Sequence, residues 1–227
     1  VTATVTQAIY VNPAFSAIGL GTVSYGTSQS YASGTPLVDA TVTKVALGVA
    51  LGYTNERFSL GAQPQLIYAM VDDHLFGSRR GIVLLAGSAS AEAKITDALS
   101  WTSHGAWQYT QEKLLPGSLL FQIGGFDSVR GYPSDGVGGD SGFFIQNELH
   151  WLKSDQVGGI DLYALADFGQ VYSTFPAITT MASIGAGWTA TLSDRATLDV
   201  SAAVPIIPAV AGQPSLAAYA KLTGRLR

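Results

Sequence analysis

Charged residues and glycines come together between Gly124 and Trp151, in the sequence GGFDSVRGYPSDGVGGDSGFFIQNELHW. A single arginine, Arg130, stands there before a glycine and a tyrosine. The stretch closes in a predicted strand, and because alternate strand residues share a face, this strand carries Gln146, Glu148 and His150 on one side. These residue types can form ion pairs, transfer protons or bind metals, so a functional site is expected here first.

The guanidinium of Arg130 stays charged in any environment, so inside a protein it needs a carboxylate or several carbonyl partners. Asp167 is a candidate, because it alternates with Tyr163 and Leu165 on one face of a predicted strand. A bidentate ion pair would satisfy both groups. On spacing alone, however, the simpler interpretation is preferred, in which Arg130 is a solvated loop residue and Asp167 is hydrated.

Other candidates for catalysis or metal binding are weak. The histidines, His74, His104 and His150, are far apart in the sequence, so none is predicted to be a metal ligand or a general base. The Asp72-Asp73-His74 run is interpreted as a solvated turn. Ser141 lacks the strand-to-helix context of a nucleophile elbow. The sequence therefore predicts no enzyme, no catalytic residues, no metal site and no cofactor.

Composition limits the class of protein. The 227 residues are 47% hydrophobic and only 12% charged, which leaves too few charges to coat a large soluble surface. No window reaches the roughly 18 to 20 consecutive apolar residues of a membrane helix. The net charge is -4 and no Lys/Arg run occurs, so nucleic acid is not an expected partner. The chain has no cysteine and is predicted to form one domain.

Apolar residues recur with a period of two, which predicts strands almost throughout. Between residues 45 and 54 the larger apolar side chains alternate with small or polar ones. Turn signals at Asn55-Glu56, Asp72-Asp73, Pro116-Gly117, Gly158-Gly159 and Ser193-Asp194 divide the chain into roughly a dozen strands of about 9 to 14 residues, long enough to cross a bilayer at a tilt.

The predicted fold class is therefore all-β, an antiparallel transmembrane β-barrel with apolar residues facing lipid and small or charged residues facing the lumen. Aromatic residues near many strand ends fit the interfacial girdles of such barrels. They are Tyr10, Phe15, Tyr53, Phe58, Trp101, Tyr109, Trp151 and Tyr172. A soluble β-sandwich or lipocalin-like barrel is the alternative, but it would need more charges on its exterior.

Three ordered motifs carry a resemblance to a known family. They are Ser128-Val129-Arg130-Gly131-Tyr132, Gly139-Asp140-Ser141-Gly142 and Asn147-Glu148-Leu149-His150-Trp151. Together they resemble the transporters of the two-partner secretion pathway, TpsB, which secrete haemolysins and haemagglutinins. These transporters belong to the superfamily of polypeptide-transporting outer-membrane barrels that includes the barrel of the assembly machinery. The resemblance covers Leu114 to Tyr172, and the rest of the chain only by its strand rhythm.

The resemblance implies a functional loop. Val129, Arg130, Gly131 and Tyr132 would lie at the tip of a long loop folded back into the barrel. Arg130 would pair with Asp167 in an Asp-x-Gly motif completed by Gly169. The adjoining loop and strand motif comprises Gly139, Asp140, Gly142, Asn147, Glu148 and Leu149. The residues expected along the lumen wall are Gln146, His150, Lys221 and Arg225.

The resemblance also implies a location and partners. The chain would be integral to the outer membrane of a Gram-negative bacterium and would translocate an unfolded secreted polypeptide, as in haemolysin activation. Outer-membrane lipid would surround it, and the barrel-assembly machinery would insert it. The alternatives are an assembly or insertion factor of the same superfamily, a passive diffusion porin and, least favoured, an outer-membrane enzyme such as a phospholipase.

Two features depart from the family. Its members have about 16 barrel strands preceded by periplasmic POTRA domains, whereas this sequence predicts about a dozen strands and no POTRA domain. Residues 1–227 are thus expected to be a transmembrane barrel domain or its C-terminal part. The ending Arg225-Leu226-Arg227 also differs from the aromatic residue that is usual in the family.

Overall fold

The computed structural model describes residues 1–33, 35–134, 136–151, 158–174, 176–210 and 212–224. Strands dominate this part of the chain. The strands are β1 (Thr2–Val11), β2 (Phe15–Ala32), β3 (Thr35–Thr54), β4 (Phe58–Asp73), β5 (Ser78–Lys94), β6 (Leu99–Tyr109), β7 (Phe121–Ile123), β8 (Val137–Gly139), β9 (Ser141–Trp151), β10 (Ile160–Tyr172), β11 (Ile178–Ser193), β12 (Ala196–Pro205) and β13 (Ala217–Gly224). A short 3-10 helix spans Gly117–Leu119. None of the described helices has the length and apolar character needed to cross a bilayer.

Eleven of the described strands form one antiparallel sheet, in the order β1-β2-β3-β4-β5-β6-β9-β10-β11-β12-β13. Every neighbouring pair in this sheet is antiparallel, and β1 and β13 are its two edges. The strands β7 and β8 form a separate two-stranded hairpin. They belong to the excursion between β6 and β9, which pair directly with each other. The sheet of the described residues is thus open, with one long insertion at its middle.

The outer face of the sheet is apolar and exposed. Leu47 pairs with Leu66, which in turn pairs with Leu85, so three leucines form a row across β3, β4 and β5. Their exposures are 64%, 56% and 47%. Val45, Leu51 and Tyr53 are exposed on this face as well, as the alternation predicted. A continuous apolar surface of this kind suits hydrocarbon rather than water.

The inner face carries the buried residues. One cluster joins β3, β4 and β5 to the insertion, because Leu115 and Leu119 pack on it. A second cluster places three insertion residues, Ile123, Val129 and Tyr132, against β9, β10 and β11. The insertion therefore folds back over the inner face and does not extend from the rim. This agrees with the inward-folded loop that the resemblance implies.

Connections differ between the two rims of the sheet. At one rim four of the connections have only two to four residues, 12–14, 55–57, 95–98 and 194–195. The long insertion leaves from the opposite rim, where residues 74–77 also connect β4 to β5. Aromatic residues lie near both rims, for example Tyr53 and Phe58 at the short turns and Tyr109 and Tyr172 at the other.

Two details of the predicted strands are wrong. The strands of the large sheet have 8 to 20 residues, not about 9 to 14, because the β2–β3 ladder continues through a polar region such as Ser24–Ser30 that shows no apolar alternation. Pro116-Gly117, predicted to be a turn between strands, instead begins the 3-10 helix inside the insertion. The predicted lumen residue Arg225 lies outside the described residues.

Candidate functional site

The candidate site is the contact between the insertion, residues 110–140, and the inner face of β9 and β10. We call this insertion the folded loop. Its tip carries Val129, Arg130, Gly131 and Tyr132, which are all buried. Val129 is completely buried and Arg130 is 2% exposed. A charged side chain so deeply buried requires partners.

Asp167 on β10 is the main partner of Arg130. The Nε atom of Arg130 donates to Asp167 Oδ2 over 2.7 Å, and Nη2 donates to Oδ1 over 2.8 Å. The backbone N–H of Arg130 also donates to Oδ2 over 3.0 Å. The fork of the guanidinium thus binds the carboxylate at both oxygens, and the third hydrogen bond ties the loop backbone to the same group. These three hydrogen bonds fix the position of the loop tip and also neutralise the charge of Asp167.

Glu148 on β9 is a second carboxylate partner. Its Oε1 accepts a short hydrogen bond from Nη1 of Arg130, and its Oε2 lies 3.1 Å from Nε2 of His150. The Nδ1 atom of His150 lies 2.9 Å from Asp161 Oδ2 on β10. A continuous chain of polar contacts therefore runs from Asp161 through His150 and Glu148 to Arg130 and Asp167. Such a network orients each member more firmly than isolated pairs would.

The charge of Arg130 is stabilised despite its burial. Burial alone would lower the pKa of the guanidinium, but hydrogen bonds and Coulombic attraction from Asp167 and Glu148 raise that pKa above its ordinary value. The group is therefore permanently charged. Removing one member of such a buried pair leaves the other uncompensated, which costs about 3–5 kcal/mol.

Tyr132 anchors the other side of the tip. Its hydroxyl oxygen accepts from the N–H of Ala182 over 3.1 Å and lies 2.9 Å from Ala182 O and 2.8 Å from Ile207 O. A hydroxyl has a single hydrogen, so it donates to one of these two carbonyls at a time. The ring is 1% exposed. Tyr132 thus links the loop to β11 and to the segment that follows β12.

Two glycines make this docking possible. A Cβ at Gly169, two residues after Asp167, would lie 2.7 Å from Cγ2 of Val129, which is closer than real Cβ atoms approach. Gly131 has a φ of +92°, in a region that residues with a side chain rarely adopt. The Asp-x-Gly motif therefore supplies the carboxylate and also the space that the loop tip occupies.

The other predicted motif residues divide between the two faces. Asp140 is 2% exposed, and its Oδ1 accepts from the N–H of Leu115 over 2.9 Å, so it braces the base of the folded loop. Gly139 and Gly142 lie where the loop meets β10, since a Cβ at either would fall within 2.9 Å of Val171 atoms. Asn147 and Leu149 alternate with Glu148 and point to the outer face; Leu149 is 39% exposed.

Two of the predicted lumen-wall residues, Gln146 and Lys221, also contact the loop. Gln146 donates from Nε2 to the carbonyl of Phe126 over 2.9 Å. The Nζ atom of Lys221 lies 5.1 Å from the centre of the Phe126 ring. His150 is 8% exposed and belongs to the network around Glu148. Gln146 and Lys221 thus support the docked loop.

Sequence reasoning did not find Glu148 as a partner of Arg130, nor Tyr219 as a contact of the tip. The alternation in the sequence places Glu148 on the inward face of its strand but does not indicate a contact with Arg130. The register places Leu165 opposite Glu148 and Gln146 opposite Asp167, which makes the two carboxylates diagonal neighbours. Only that register could have indicated a shared arginine.

The arrangement holds the loop tip on the inner face through ion pairs and hydrogen bonds. Arg130 is bound by two carboxylates, and Thr102 Oγ1 extends the network, 3.2 Å from Nε2 of His150. Among the residues that the structure describes, no group of three or more His, Asp or Glu is placed to hold a metal ion. These contacts tie the tip of the folded loop to β9 and β10.

Comparison with known proteins gives the family. Residues 19–190 match the family model described as haemolysin secretion/activation protein ShlB/FhaC/HecB. The outer membrane transporter CdiB of Dickeya dadantii (strain 3937) is 26% identical over 180 residues, which are 74% of this chain and 32% of that protein. The outer membrane transporter CdiB of Escherichia coli is 31% identical over 88 residues, or 38% of this chain and 15% of that protein.

Solved structures agree in fold. CdiB from Escherichia coli superposes with a TM-score of 0.84 at 20% identity over 98% of this chain and 44% of that one. CdiB from Acinetobacter baumannii gives 0.79 at 18% identity over 99% of this chain and 41% of that one. The chain spans about a third or less of the curated relatives that it matches. It belongs to the haemolysin secretion/activation protein family ShlB/FhaC/HecB, the two-partner secretion transporters, and with them to the outer membrane of Gram-negative bacteria.

Proposed function

We propose that residues 1–227 form a transmembrane barrel domain or its C-terminal part, and that this barrel translocates an unfolded partner polypeptide across the outer membrane. The observation that carries the proposal is the buried ion pair of Arg130 with Asp167, which fixes a long loop over the inner face. Family membership supports secretion as the activity. The folded loop would then control whether the lumen is open.

The inner face below the loop suits passage of an extended chain. Successive paired positions there carry small or polar residues: Gly61 pairs with Ser90, Ser90 with His104, and His104 with Gln146. Small side chains leave the lumen wide, and few of them offer an apolar surface on which an unfolded chain would stick. We propose that transport uses no nucleotide and is drawn by folding of the partner outside the cell.

The same proposal predicts how the barrel sits in the outer membrane. The apolar outer face would contact outer-membrane lipid, and the barrel-assembly machinery would insert the strands. The rim that bears the long loop would face the exterior, since outer-membrane barrels have short periplasmic turns and longer extracellular loops. The protein would perform no covalent chemistry and require no cofactor, and its partner would be a polypeptide instead of a nucleic acid.

Crosslinking inside the lumen tests the proposal. The chain has no cysteine, so Ser90→Cys introduces a single thiol on the inner face of β5, and Ala89→Cys introduces one on the outer face beside it. In cells that make the complete transporter together with a stalled, cysteine-bearing partner, the Ser90→Cys protein is expected to form a disulfide-linked adduct. The Ala89→Cys protein is expected to form none. The adduct is detected by its mobility on non-reducing gels.

Two results would contradict translocation through the lumen. Equal adduct formation by both variants would place the partner outside the barrel. No adduct from Ser90→Cys, combined with small-solute flux that does not respond to substitution of Arg130, would favour a passive porin.

A further inference from the structure

We infer that the folded loop is a brace that ties β9 to β13, with Tyr219 as the positioning residue at the β13 end. Three strands, β10, β11 and β12, lie between β9 and β13 in the sheet. The loop tip crosses their inner face and contacts both. This role differs from the control of the lumen proposed above and rests on contacts of its own.

Tyr219 holds the backbone of the tip. The N–H of Gly131 donates to the Tyr219 hydroxyl over 2.9 Å, and the hydroxyl donates to the carbonyl of Tyr132 over 3.3 Å. The hydroxyl thus uses both its donor and an acceptor site on two consecutive loop residues. These two residues directly follow Arg130. The ion pair with Asp167 on β10 and the hydrogen bonds of Tyr219 on β13 therefore hold adjacent parts of the tip.

Phe126 provides a second contact with β13. Its ring centre lies 5.7 Å from that of Tyr219 in a tilted arrangement, and Lys221 Nζ lies 5.1 Å from the same ring. Tyr219 and Lys221 are alternate residues of β13 and therefore share its inner face. The Phe126 ring thus packs against the aromatic ring and the cation of one strand.

The same residue is tied to β9 through its backbone. The carbonyl of Phe126 accepts from Gln146 Nε2 over 2.9 Å, and Gln146 is directly opposite Asp167 in the β9–β10 ladder. One loop residue therefore contacts β9 with its main chain and β13 with its side chain. The loop therefore connects β9 and β13, two strands that do not pair with each other.

The brace matters because β13 is the shortest strand of the large sheet among the described residues. Its ladder with β12 joins residues 196–203 to 217–224, while the β2–β3 ladder extends over most of two far longer strands. A short strand with few backbone hydrogen bonds opens locally more readily than a long one. Contacts from the loop restrict this motion, so release of the loop is expected to loosen β13.

Hydrogen–deuterium exchange on the complete transporter in lipid nanodiscs tests the inference. Tyr219→Phe keeps the ring and removes the hydroxyl, and Tyr25→Phe is the matched control on the outer face of β2, where Tyr25 is 52% exposed. Loss of the two hydrogen bonds is expected to raise exchange about fivefold to tenfold in residues 217–224 and in the loop tip. Tyr25→Phe is expected to leave both unchanged, and β2 and β3 serve as internal references.

Phe126→Leu provides a second variant that removes the ring contacts and keeps the carbonyl bond to Gln146. Faster exchange in β13 is expected here as well. If neither variant changes β13 exchange, the brace is wrong, even if partner secretion falls. If β13 exchange rises while secretion is normal, the brace holds and the proposed control of the lumen by the loop loses its support.

Discussion

Arg130→Ala in the complete transporter is expected to lower secretion of the partner about tenfold or more while the barrel remains in the outer membrane. The change leaves Asp167, whose side chain is completely buried, without its cation, and this costs about 3–5 kcal/mol. Such a loss shifts the equilibrium of the docked loop by at least roughly a hundredfold. The outer face and the sheet ladders are untouched, so assembly is expected to continue. Secreted partner is measured in the medium by immunoblot.

Arg130→Lys is the matched variant for charge. Lysine keeps the positive charge but has a single side-chain nitrogen. It cannot reproduce the two parallel hydrogen bonds to Asp167 together with the third bond to Glu148. Secretion is expected to fall nearly as far as with alanine. Barrel assembly is followed by heat-dependent mobility on gels and by outer-membrane fractionation. Normal secretion by Arg130→Ala, at normal levels of assembled barrel, would contradict a role of this residue in transport.

Gly169→Val is expected to expel the loop tip with every charged partner still present. A Cβ at this position would lie 2.7 Å from Val129 Cγ2 and 3.2 Å from Phe144 Cβ, and all these atoms are packed in the buried cluster under the tip. Overpacking of this kind typically costs about 1–3 kcal/mol. The expected result is a severalfold rise in mean conductance when the complete transporter is reconstituted in planar bilayers.

Gly26→Val serves as the control for Gly169→Val. Gly26 lies in β2, and an added Cβ there would meet no atom within 4 Å. The same substitution is therefore expected to leave conductance at the level of the unmodified protein. Equal conductance of both variants would mean that the tip does not depend on the space at Gly169.

The sequence predicted much of the sheet because the physical signal is local. Residues such as Val45, Leu47 and Leu51 alternate with smaller ones, and this period reports directly which face each side chain occupies. The pairing of Arg130 with Asp167 came from the resemblance of the motifs, since spacing alone favoured two solvated groups. The structure places these two side chains in direct contact.

Contacts set by register and long sequence separation were not predictable in the same way. Glu148 shares Arg130 with Asp167 only because β9 and β10 pair with one particular offset, and a shift by one residue would turn one strand's side chains to the other face. Gly131 and Tyr219 are separated by 88 residues. No local pattern indicates that a tyrosine near the end of the chain binds the backbone of a loop tip.

A polar ladder explains the strand lengths that were missed. In β2, residues such as Thr27, Ser28 and Gln29 pair regularly with β3 although they show no apolar alternation. Backbone hydrogen bonds hold this part of the hairpin, although most of its β2 side chains are polar. Periodicity detects only the part of a strand that separates two different environments.

The central claim is that the Arg130 and Asp167 side chains act together to hold the folded loop, and a double-mutant cycle on secretion rate tests it most directly. Arg130→Ala, Asp167→Ala and the double variant are compared in the complete transporter. Two side chains that depend on each other are expected to give a double variant that is no worse than the more damaging single one. Losses that simply multiply would show that the two residues act independently, which would contradict the account.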